Sequence, residues 1–319
     1  MKYWAVTGAT GFLGQALLKR CASLDQIRLL GISRRVSDHP IEHVRYVSMG
    51  DLSDIVSCTP ALEGVEVMVH TAARVHVMYD KTLDPLAEFR RINVQGTLNL
   101  ARIAATAGVK RFVFISSIKV NGEATRLGQP FTADDVPAPL DPYGVSKMEA
   151  ERGLREISAL TGMELVVVRP PLVYGYGVKA NFAALMRVVQ RGWPLPLGAV
   201  HNQRSLVALE NLVDFIITCV THPKAANQTF LVSDGQDLST TELVRGIAQA
   251  AVVPARLLPV PVWALQVGAS LIGKRDSMQR LCGNLQVDIT KARMLLDWVP
   301  PVSVDEGLRR AMGVYEKNV

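Results

Sequence analysis

The chain has 319 residues, enough for one large α/β unit or two domains, and its 49% hydrophobic and 20% charged residues are ordinary for a folded globular protein. Its formal net charge is +6, but the lysines and arginines are scattered, without a run long enough to follow a nucleic-acid backbone. We therefore expect no nucleic-acid partner and favour a small anionic ligand. The cysteines lie far apart and form no CxxC pair, so neither a disulfide framework nor a metal site is predicted.

The predicted first strand begins at residue 3, which leaves no room for a signal peptide, so we expect a cytoplasmic protein. One uncharged segment, residues 257–273, is 17 residues long and close to the lower limit for a membrane span. Its Pro259 and Pro261 suit a helix half-buried on a domain surface better than a span. The sequence therefore predicts no stable membrane insertion.

Residues 3–14 form a short predicted strand that breaks into three glycines and continues as a helix. A strand that turns directly into a helix points the unpaired N–H groups and the positive dipole end of the helix at one spot, where a pyrophosphate can bind. Gly8 would make the turn, Gly11 would admit the phosphates, and Gly14 would let helix and strand pack closely. The spacing is GxxGxxG rather than GxGxxG, so a purely structural turn is the alternative. The predicted cofactor contacts here are Gly8, Thr10, Gly11, Phe12 and Leu13.

The end of the second predicted strand, residues 27–32, indicates which dinucleotide binds. An NAD site usually has an acidic residue near this position for the ribose hydroxyls, whereas an arginine accommodates a 2′-phosphate. Here Ser33, Arg34 and Arg35 follow the strand, and no acid occurs before Asp38. We therefore favour NADP over NAD, with a solvated basic turn as the alternative reason for the two arginines.

The next two predicted strands also end in residues suited to a cofactor site. The strand at 44–49 is followed by Asp51 and Leu52, and the strand at 65–70 by Thr71, Ala72 and Ala73. Small residues at the carboxyl end of a strand, beside the glycine turn, let a cofactor lie across the sheet edge.

Further along the chain, a helical pattern at 89–107 carries Asn93 near its start, and the strand at 111–115 ends in Ser116 and Ser117. A polar, proline-rich loop follows at 121–142, of a length typical of a lid or a substrate loop.

A long helix is predicted from Tyr143 to about residue 160, followed by a strand at 165–168 that is buried on both faces. The pattern then loosens, and helix and strand at 209–220 and 229–232 return to the main sheet. The sequence thus predicts an α/β fold with a doubly wound parallel sheet of the Rossmann type and a smaller, mostly C-terminal substrate-binding region. The dinucleotide-binding domain would comprise residues 1–174 and 203–233, and the substrate region residues 175–202 and 234–319.

Tyr143 and Lys147 are four residues apart, so their side chains share one face of the helix. A phenol titrates near pH 10, so stabilising its phenolate at neutral pH takes roughly 4 kcal/mol. A lysine ammonium one turn away can supply much of that, and Ser117 can hydrogen-bond the same substrate oxygen. Together they would act as a general acid/base on a carbonyl that becomes an alcohol. A chance pair on an exposed helix is the alternative, which the cofactor turn and the serines make the weaker one.

With these motifs the chain resembles, over essentially its whole length, the extended short-chain dehydrogenases/reductases, the NAD-dependent epimerase/dehydratase group that acts on nucleotide sugars. Residues 7–14 match its cofactor loop, residues 93–97 its active-site asparagine segment and residues 288–300 its C-terminal signature. The resemblance implies a catalytic triad of Ser117, Tyr143 and Lys147. It also implies cofactor contacts at Asp51, Leu52, Thr71, Ala72, Ala73, Asn93, Tyr143, Lys147 and Pro170. The implied substrate contacts are Ser117, Asn181 and Arg204, the last on a sugar-nucleotide diphosphate.

The chain departs from the family pattern at two places. Asn121 stands where many sugar epimerases have a tyrosine, and Ser33, Arg34 and Arg35 replace the acidic ribose contact. Residues 114–123 and 175–182 are similar to a bacterial polysaccharide branch of the family, which contains 4-keto reductases of UDP-linked amino sugars and, beside them, UDP-sugar 4-epimerases.

The resemblance therefore implies an NAD(P)-dependent reductase or dehydrogenase that acts at C4 of a UDP-linked amino sugar in bacterial surface polysaccharide synthesis. A UDP-sugar 4-epimerase with tightly held NAD is the first alternative. A non-catalytic nucleotide sensor on the same fold is a remote alternative, which the intact pair of Tyr143 and Lys147 opposes. A UDP-sugar is the expected small-molecule partner, and a homodimer is left open.

Overall fold

The computed structural model describes residues 2–35, 40–51, 59–75, 84–271, 273 and 275–313. Seven parallel strands form the main sheet, in the spatial order β3-β2-β1-β4-β5-β6-β9. A second sheet has three strands in the order β10-β8-β7. The strands are β1 Lys2–Thr7, β2 Ile27–Ser33, β3 Val44–Ser48, β4 Val67–His70, β5 Arg111–Ile115, β6 Glu164–Arg169, β7 Leu172–Tyr174, β8 Arg204–Ala208, β9 Gln228–Leu231 and β10 Asp237–Leu238.

This strand order confirms the predicted doubly wound sheet. The chain runs outward from β1 through β2 to β3 and then crosses back to β4 on the other side of β1. In such sheets a crevice opens outside the carboxyl ends of the two strands that flank the reversal, and ligands bind there. The glycine turn after β1 and residues 71–73 after β4 both lie at this edge.

Eleven α-helices lie in the described ranges. They are α1 Phe12–Ala22, α2 Pro85–Phe89, α3 Thr97–Thr106, α4 Pro142–Thr161, α5 Ala180–Gln190, α6 Leu209–Thr221, α7 Thr240–Ala250, α8 Val262–Leu271, α9 Arg275–Cys282, α10 Thr290–Leu296 and α11 Val304–Ala311. None of the helices in these ranges is long and apolar enough to cross a membrane.

The main sheet is buried on both faces because helices cover both sides. Residues 3–7 of β1 are all buried, which explains their continuous apolar run. One core cluster joins the sheet to α1, α6 and α10, and another joins it to α3 and α4. A third cluster packs α5, α7, α8 and α11 around the small sheet. The division of the chain into two domains at the boundaries given above stays a prediction.

The helical pattern at 89–107 is in fact an unbroken helix with an irregular middle. Helix α2 continues through a π-helical stretch, Arg90–Gly96, directly into α3. A π-helical turn holds one residue more than an α-helical turn and is frequent at functional sites. Asn93 lies within this stretch and is buried.

The polar loop at 121–142 is fastened to the C-terminal part of the chain. The Phe131 amide donates to the Gln286 carbonyl, and the Asp288 amide donates to the Phe131 carbonyl. The Thr125 amide donates to the Asn284 carbonyl. The loop therefore forms a wall beside residues 284–288, and those residues in turn bond to β8 through the Ser205 amide and the Leu285 carbonyl.

The first prediction concerns the packing of α1 on the glycine turn. A methyl group at Gly14 would collide with the Gly8 carbonyl, whose carbon would lie 2.8 Å away. Because the obstacle is backbone, Gly14→Ala should lower the free energy of unfolding by about 1–3 kcal/mol, the usual cost of overpacking.

The matched control is Gly268→Ala, another helical glycine. A methyl group there meets no atom of the described residues within 4 Å, so the substitution should be neutral or stabilising by up to about 1 kcal/mol. Urea unfolding of both variants measures the difference. Equal effects of the two substitutions would contradict the close packing of α1 on the turn.

Candidate active site

The turn after β1 is built for close approach of backbone groups. Gly8 has a left-handed backbone with φ of +69°, and a Cβ atom there would lie 2.7 Å from Thr71 Oγ1 and 2.9 Å from the Ala72 amide nitrogen. The Thr71 hydroxyl donates to the Thr7 carbonyl over 2.7 Å. The turns after β1 and β4 are thus packed directly against each other, at the predicted cofactor edge.

The start of α1 offers free N–H groups to an anion. Its N-cap is Gly11, no side chain in the described part of the chain caps it, and no acidic residue lies in its first turn. Thr10 and Gly11 are exposed, and Phe12 and Leu13 are half-buried. A cradle with no side-chain cap among the described residues and with glycine at 8, 11 and 14 fits the pyrophosphate of a dinucleotide, held by backbone N–H groups and the helix dipole.

The basic residues after β2 lie at the same edge of the sheet. Ser33 is buried, and its hydroxyl donates to the Arg35 carbonyl over 2.5 Å. Arg34 and Arg35 are exposed, so their side chains can reach a ligand or remain solvated. Asp38, the nearest acid in the sequence, lies outside the described residues.

The predicted adenine contact is described in part. Asp51 is half-buried, and its carboxylate lies 3.3 Å from Arg91, which also pairs with Glu88. Leu52 lies outside the described residues. The assignment of both residues to the cofactor stays a prediction.

A buried histidine that the sequence analysis did not single out lies beneath the cofactor edge. His70 ends β4 and is fully buried, with Nδ1 2.6 Å from Thr7 Oγ1 and Nε2 2.9 Å from Thr97 Oγ1. Burial, assisted by the charge of Lys147, lowers the pKa of His70 to about 3. The ring is therefore neutral at physiological pH and joins β1, β4 and α3. In the sequence, the position of His70 at the end of an apolar strand could have indicated that it is buried.

Asn93 connects the cofactor edge to the catalytic helix. Its side chain accepts a hydrogen bond from the Arg74 amide and donates to the Arg74 carbonyl, which fixes the chain just after Ala72 and Ala73. It also donates to Ser146 Oγ over 3.0 Å. Ser146 was not predicted, although it lies between the two residues of the YxxxK pair.

Tyr143 and Lys147 occupy one face of α4, as their spacing predicts. The Tyr143 ring contacts the Phe89 ring edge-on, with centroids 5.9 Å apart. Lys147 is buried, and its ammonium lies 4.2 Å from the centre of the Phe114 ring on β5. Ser117 follows β5 three residues after Phe114, so all three predicted catalytic residues belong to the carboxyl edge of β5.

The electrostatics of this pair differ from the expectation. Burial, with a smaller contribution from Asp141, raises the pKa of Tyr143 above its usual value. Burial lowers the pKa of Lys147 to about 7, although Glu151 acts in the opposite direction. In the protein alone, Tyr143 is therefore a neutral phenol. The expected phenolate stabilised by Lys147 is not the form that the surroundings of Tyr143 favour.

A clamp between two loops sets the position of Tyr143 relative to Ser117. Asp141 is the N-cap of α4 and accepts a hydrogen bond from the Gly144 amide over 2.7 Å. Its other carboxylate oxygen pairs with Lys119, which lies two residues after Ser117. Ser117 in turn caps the short turn Ile118–Val120.

A buried ion pair lies below these residues. Arg169, at the end of β6, donates two hydrogen bonds to Glu151 of α4, at 2.9 and 2.6 Å, and one to Asn121. Ser116 donates to the same Glu151 carboxylate over 2.6 Å. Asn121 is thus a structural partner of Arg169. Arg169 ends an otherwise apolar run, which was a sequence signal, whereas Glu151 lies among other charged residues of α4 and had none.

The remaining predicted residues lie around this cluster. Pro170 is buried, and its carbonyl accepts a hydrogen bond from the Ile118 amide, beside Ser117. Arg204 begins β8 and lies level with Pro170 when the β7–β8 register is extended back by two residues. Asn181 is exposed in the first turn of α5, and its assignment to the substrate stays a prediction.

Arg204 is a mostly buried cation. Its guanidinium donates to the Gly283 carbonyl over 3.0 Å, and within the described ranges no carboxylate lies within ion-pair distance of it. Burial lowers its pKa. A buried guanidinium held by a carbonyl has donors left for an anion.

Comparison with known proteins bears on this arrangement. Residues 4–233 match the NAD dependent epimerase/dehydratase family. The chain is 48% identical to the UDP-glucose 4-epimerase of Vibrio cholerae, over 97% of this chain and 94% of that protein. It is 26% identical to the N-acetyl-alpha-D-glucosaminyl-diphospho-ditrans,octacis-undecaprenol 4-epimerase of Escherichia coli O157:H7, over 96% of this chain and 92% of that protein.

Solved structures show the same fold at lower sequence identity. The UDP-glucose 4-epimerase of Thermotoga maritima with UDP-glucose has a TM-score of 0.78 and 22% identity over 99% of each chain. The Bordetella bronchiseptica enzyme WbmG in complex with NAD and UDP has a TM-score of 0.76 and 19% identity, over 98% of this chain and 94% of that chain. Because the family pattern spans residues 4–233 and one relative is 48% identical over nearly the whole length, the protein belongs to the NAD-dependent epimerase/dehydratase family.

Proposed function

We propose that the protein is a UDP-sugar 4-epimerase that keeps NAD bound. The observation that carries the proposal is the 48% identity to the Vibrio cholerae UDP-glucose 4-epimerase over 97% of the chain. The intact trio of Ser117, Tyr143 and Lys147 at the carboxyl edge of β5 supports it. The sequence analysis preferred the reductase and gave the epimerase as its first alternative; the epimerase is now the preferred function.

The residues of the chain divide the chemistry at C4 among them. Bound NAD would supply the acceptor of the C4 hydride and its donor on return to the opposite face. Tyr143 would take the proton of the C4 hydroxyl as the carbon becomes a ketone and return it as the alcohol re-forms. Ser117 would donate a hydrogen bond to the same oxygen and hold it beside the phenol.

Lys147 would set the proton affinity of Tyr143. Removal of a proton from the C4 hydroxyl needs the phenolate, which burial and Asp141 disfavour. The Lys147 ammonium lies one helical turn away and favours the phenolate when it is charged. The pKa of about 7 for Lys147 means that this charge is easily lost near neutral pH.

Arg204 would bind the diphosphate of the sugar nucleotide. Its buried guanidinium has donors in a fork that matches phosphate oxygens. Arg204 is level with Pro170 when the β7–β8 register is extended, and Pro170 lies beside Ser117. Arg204 and Ser117 are therefore at the same end of the fold. The small sheet would then fix the nucleotide while α4 and β5 hold the sugar.

A second candidate is the C4 reductase, an enzyme like bacterial UDP-N-acetylquinovosamine dehydrogenase. Exposed Arg34 and Arg35 after β2 favour it, because arginines at this place suit the 2′-phosphate of NADPH. The basic turn is equally consistent with NAD if both side chains stay solvated. Both functions need the same catalytic trio, so the cofactor and the product separate them.

The direct test supplies the purified protein with UDP-galactose or UDP-N-acetylgalactosamine and no added coenzyme. We expect conversion to the glucose epimer, followed by NMR, and NAD in the supernatant of the denatured protein. Protein that holds no nucleotide, converts neither sugar and oxidises NADPH with a 4-keto-6-deoxy UDP-sugar would overturn the proposal in favour of the reductase.

The Tyr143→Phe variant removes the proton carrier and keeps the ring that contacts Phe89. The turnover number should fall by about 10²- to 10⁴-fold, the typical share of general acid–base catalysis, while NAD stays bound. The matched control is Tyr3→Phe at the opposite end of the sheet, which removes a buried hydroxyl that has no hydrogen-bond partner among the described residues. The assignment of Tyr143 fails if both variants retain comparable turnover.

The Lys147→Met variant tests the buried ammonium. A lysine whose pKa is lower in the folded protein than in the unfolded chain opposes folding below both values, and this penalty fades as the pH rises between them. In coenzyme-free protein, Lys147→Met should be more stable than wild type near pH 6.5. Its advantage should shrink by roughly 1.4 kcal/mol per unit as the pH rises above 7. Urea unfolding at several pH values measures this, and a constant difference up to pH 10 would contradict the lowered pKa.

The Arg204→Ala variant tests the diphosphate contact. Loss of a hydrogen bond to a charged group should weaken UDP binding by about 2 kcal/mol, as measured by titration calorimetry. Arg245→Ala is the control, since Arg245 is exposed on α7. Equal affinities of the two variants for UDP would assign Arg204 to structure alone.

A further inference from the structure

Helix α8 presents an apolar stripe to solvent. Trp263, Val267 and Leu271 recur every four residues and are 69, 56 and 83% exposed. The opposite side of the helix carries Leu265 and Ala269, which are both buried, and Leu265 belongs to the core of the small-sheet region. We refer to Trp263, Val267 and Leu271 as the α8 face. Such a contiguous row of large apolar side chains is unusual on a surface that meets only water.

Two further large apolar residues lie in the segments next to α8. Leu258 precedes the helix by four residues and is 51% exposed, and Trp193 is 58% exposed. The two segments that carry them are joined by the Leu195–Leu257 bridge. The exposed apolar surface therefore extends from α8 into the chain that enters it.

The chain segments that carry this surface are basic in sequence. Residues 179–198 and 252–283 contain one acidic residue, Asp276, against seven basic ones: Lys179, Arg187, Arg191, Arg256, Lys274, Arg275 and Arg280. Arg256 and Arg275 flank α8 and are exposed. Arg191 lies over the Trp193 ring, 5.8 Å from its centre. The exposed apolar row is thus bordered by cations.

We propose that the α8 face docks on the surface of an anionic lipid bilayer. Apolar side chains with tryptophan at the interface, bordered by lysine and arginine, are what an interfacial helix uses: the apolar row enters the acyl boundary and the cations meet the phosphates. The helix has 10 residues, about 15 Å in length, against a hydrocarbon core of about 30 Å. It therefore lies on the membrane and does not cross it. This inference does not depend on the proposed epimerase activity.

The charge pattern argues against a second copy of the chain as the occupant. A two-fold interface brings the same patch of both copies together, so Arg256 and Arg275 of one copy would face the same arginines of the other. Like charges set against each other oppose association. An anionic bilayer satisfies both the apolar row and its border.

Vesicle flotation tests the proposal. We expect wild-type protein to float with vesicles of phosphatidylethanolamine and phosphatidylglycerol and to remain below vesicles of phosphatidylcholine. The double variant Trp263→Gln/Leu271→Gln should lower the partition onto anionic vesicles about tenfold or more, since it removes two inserted side chains. A second variant, Arg256→Ser/Arg275→Ser, should lower it at low salt and lose its effect at high salt.

The matched control is Val136→Gln/Leu160→Gln, which removes two apolar side chains that are 85 and 86% exposed elsewhere on the molecule. It should float like wild type, and thermal unfolding should confirm that all variants are folded. No flotation of wild type with anionic vesicles would overturn the proposal, as would equal losses in both apolar double variants. A dimer that sedimentation shows to dissociate only in Trp263→Gln/Leu271→Gln would instead assign the α8 face to a second copy.

Discussion

The buried ion pair between Glu151 and Arg169 is the interaction on which the candidate site depends. Glu151 lies one helical turn after Lys147 on α4, and Arg169 ends β6. Their carboxylate and guanidinium meet in a fork at 2.6 and 2.9 Å, with both side chains nearly inaccessible to water. Breaking such a pair from one side leaves a buried charge and costs about 3–5 kcal/mol, although its net contribution to stability is small. Its value here lies in position: Ser116 and Asn121 bond to it, so the helix, the serine strand and the loop at 121–142 share one anchor.

Residues of the same region also shift the pKa values of Lys147 and Tyr143. Lys147 is buried over the Phe114 ring and loses affinity for its proton, while Glu151, one turn away, partly restores it. Tyr143 is kept as a neutral phenol by burial and by Asp141, whose carboxylate is itself committed to the helix cap and to Lys119. The pKa of the phenol is thus raised while that of the ammonium is lowered, and both groups lie where a proton can be exchanged with a substrate hydroxyl.

Much of the fold could be predicted from the sequence because its patterns are local. The strand at Arg111–Ile115 is an apolar run of aromatic and β-branched residues, and the helix from Pro142 to Thr161 has a helical period and is followed by a glycine. The structure has both elements within a residue or two of the predicted bounds. The site was harder, because its supports join residues far apart in the chain. His70 with Thr7 and Thr97, and Asn93 with Ser146, are pairings that no local pattern contains. The shifted pKa values likewise follow from burial, which becomes known only once the chain is folded.

What separates the two enzymatic functions is the fate of one hydrogen at C4, since both use the same trio of side chains. The decisive measurement supplies the protein with UDP-galactose that carries deuterium at C4 and follows the isotope by NMR in ordinary water. The account predicts that UDP-glucose forms with the deuterium still at C4. Deuterium lost to solvent, or recovered in a freely exchanging nicotinamide coenzyme, would contradict it.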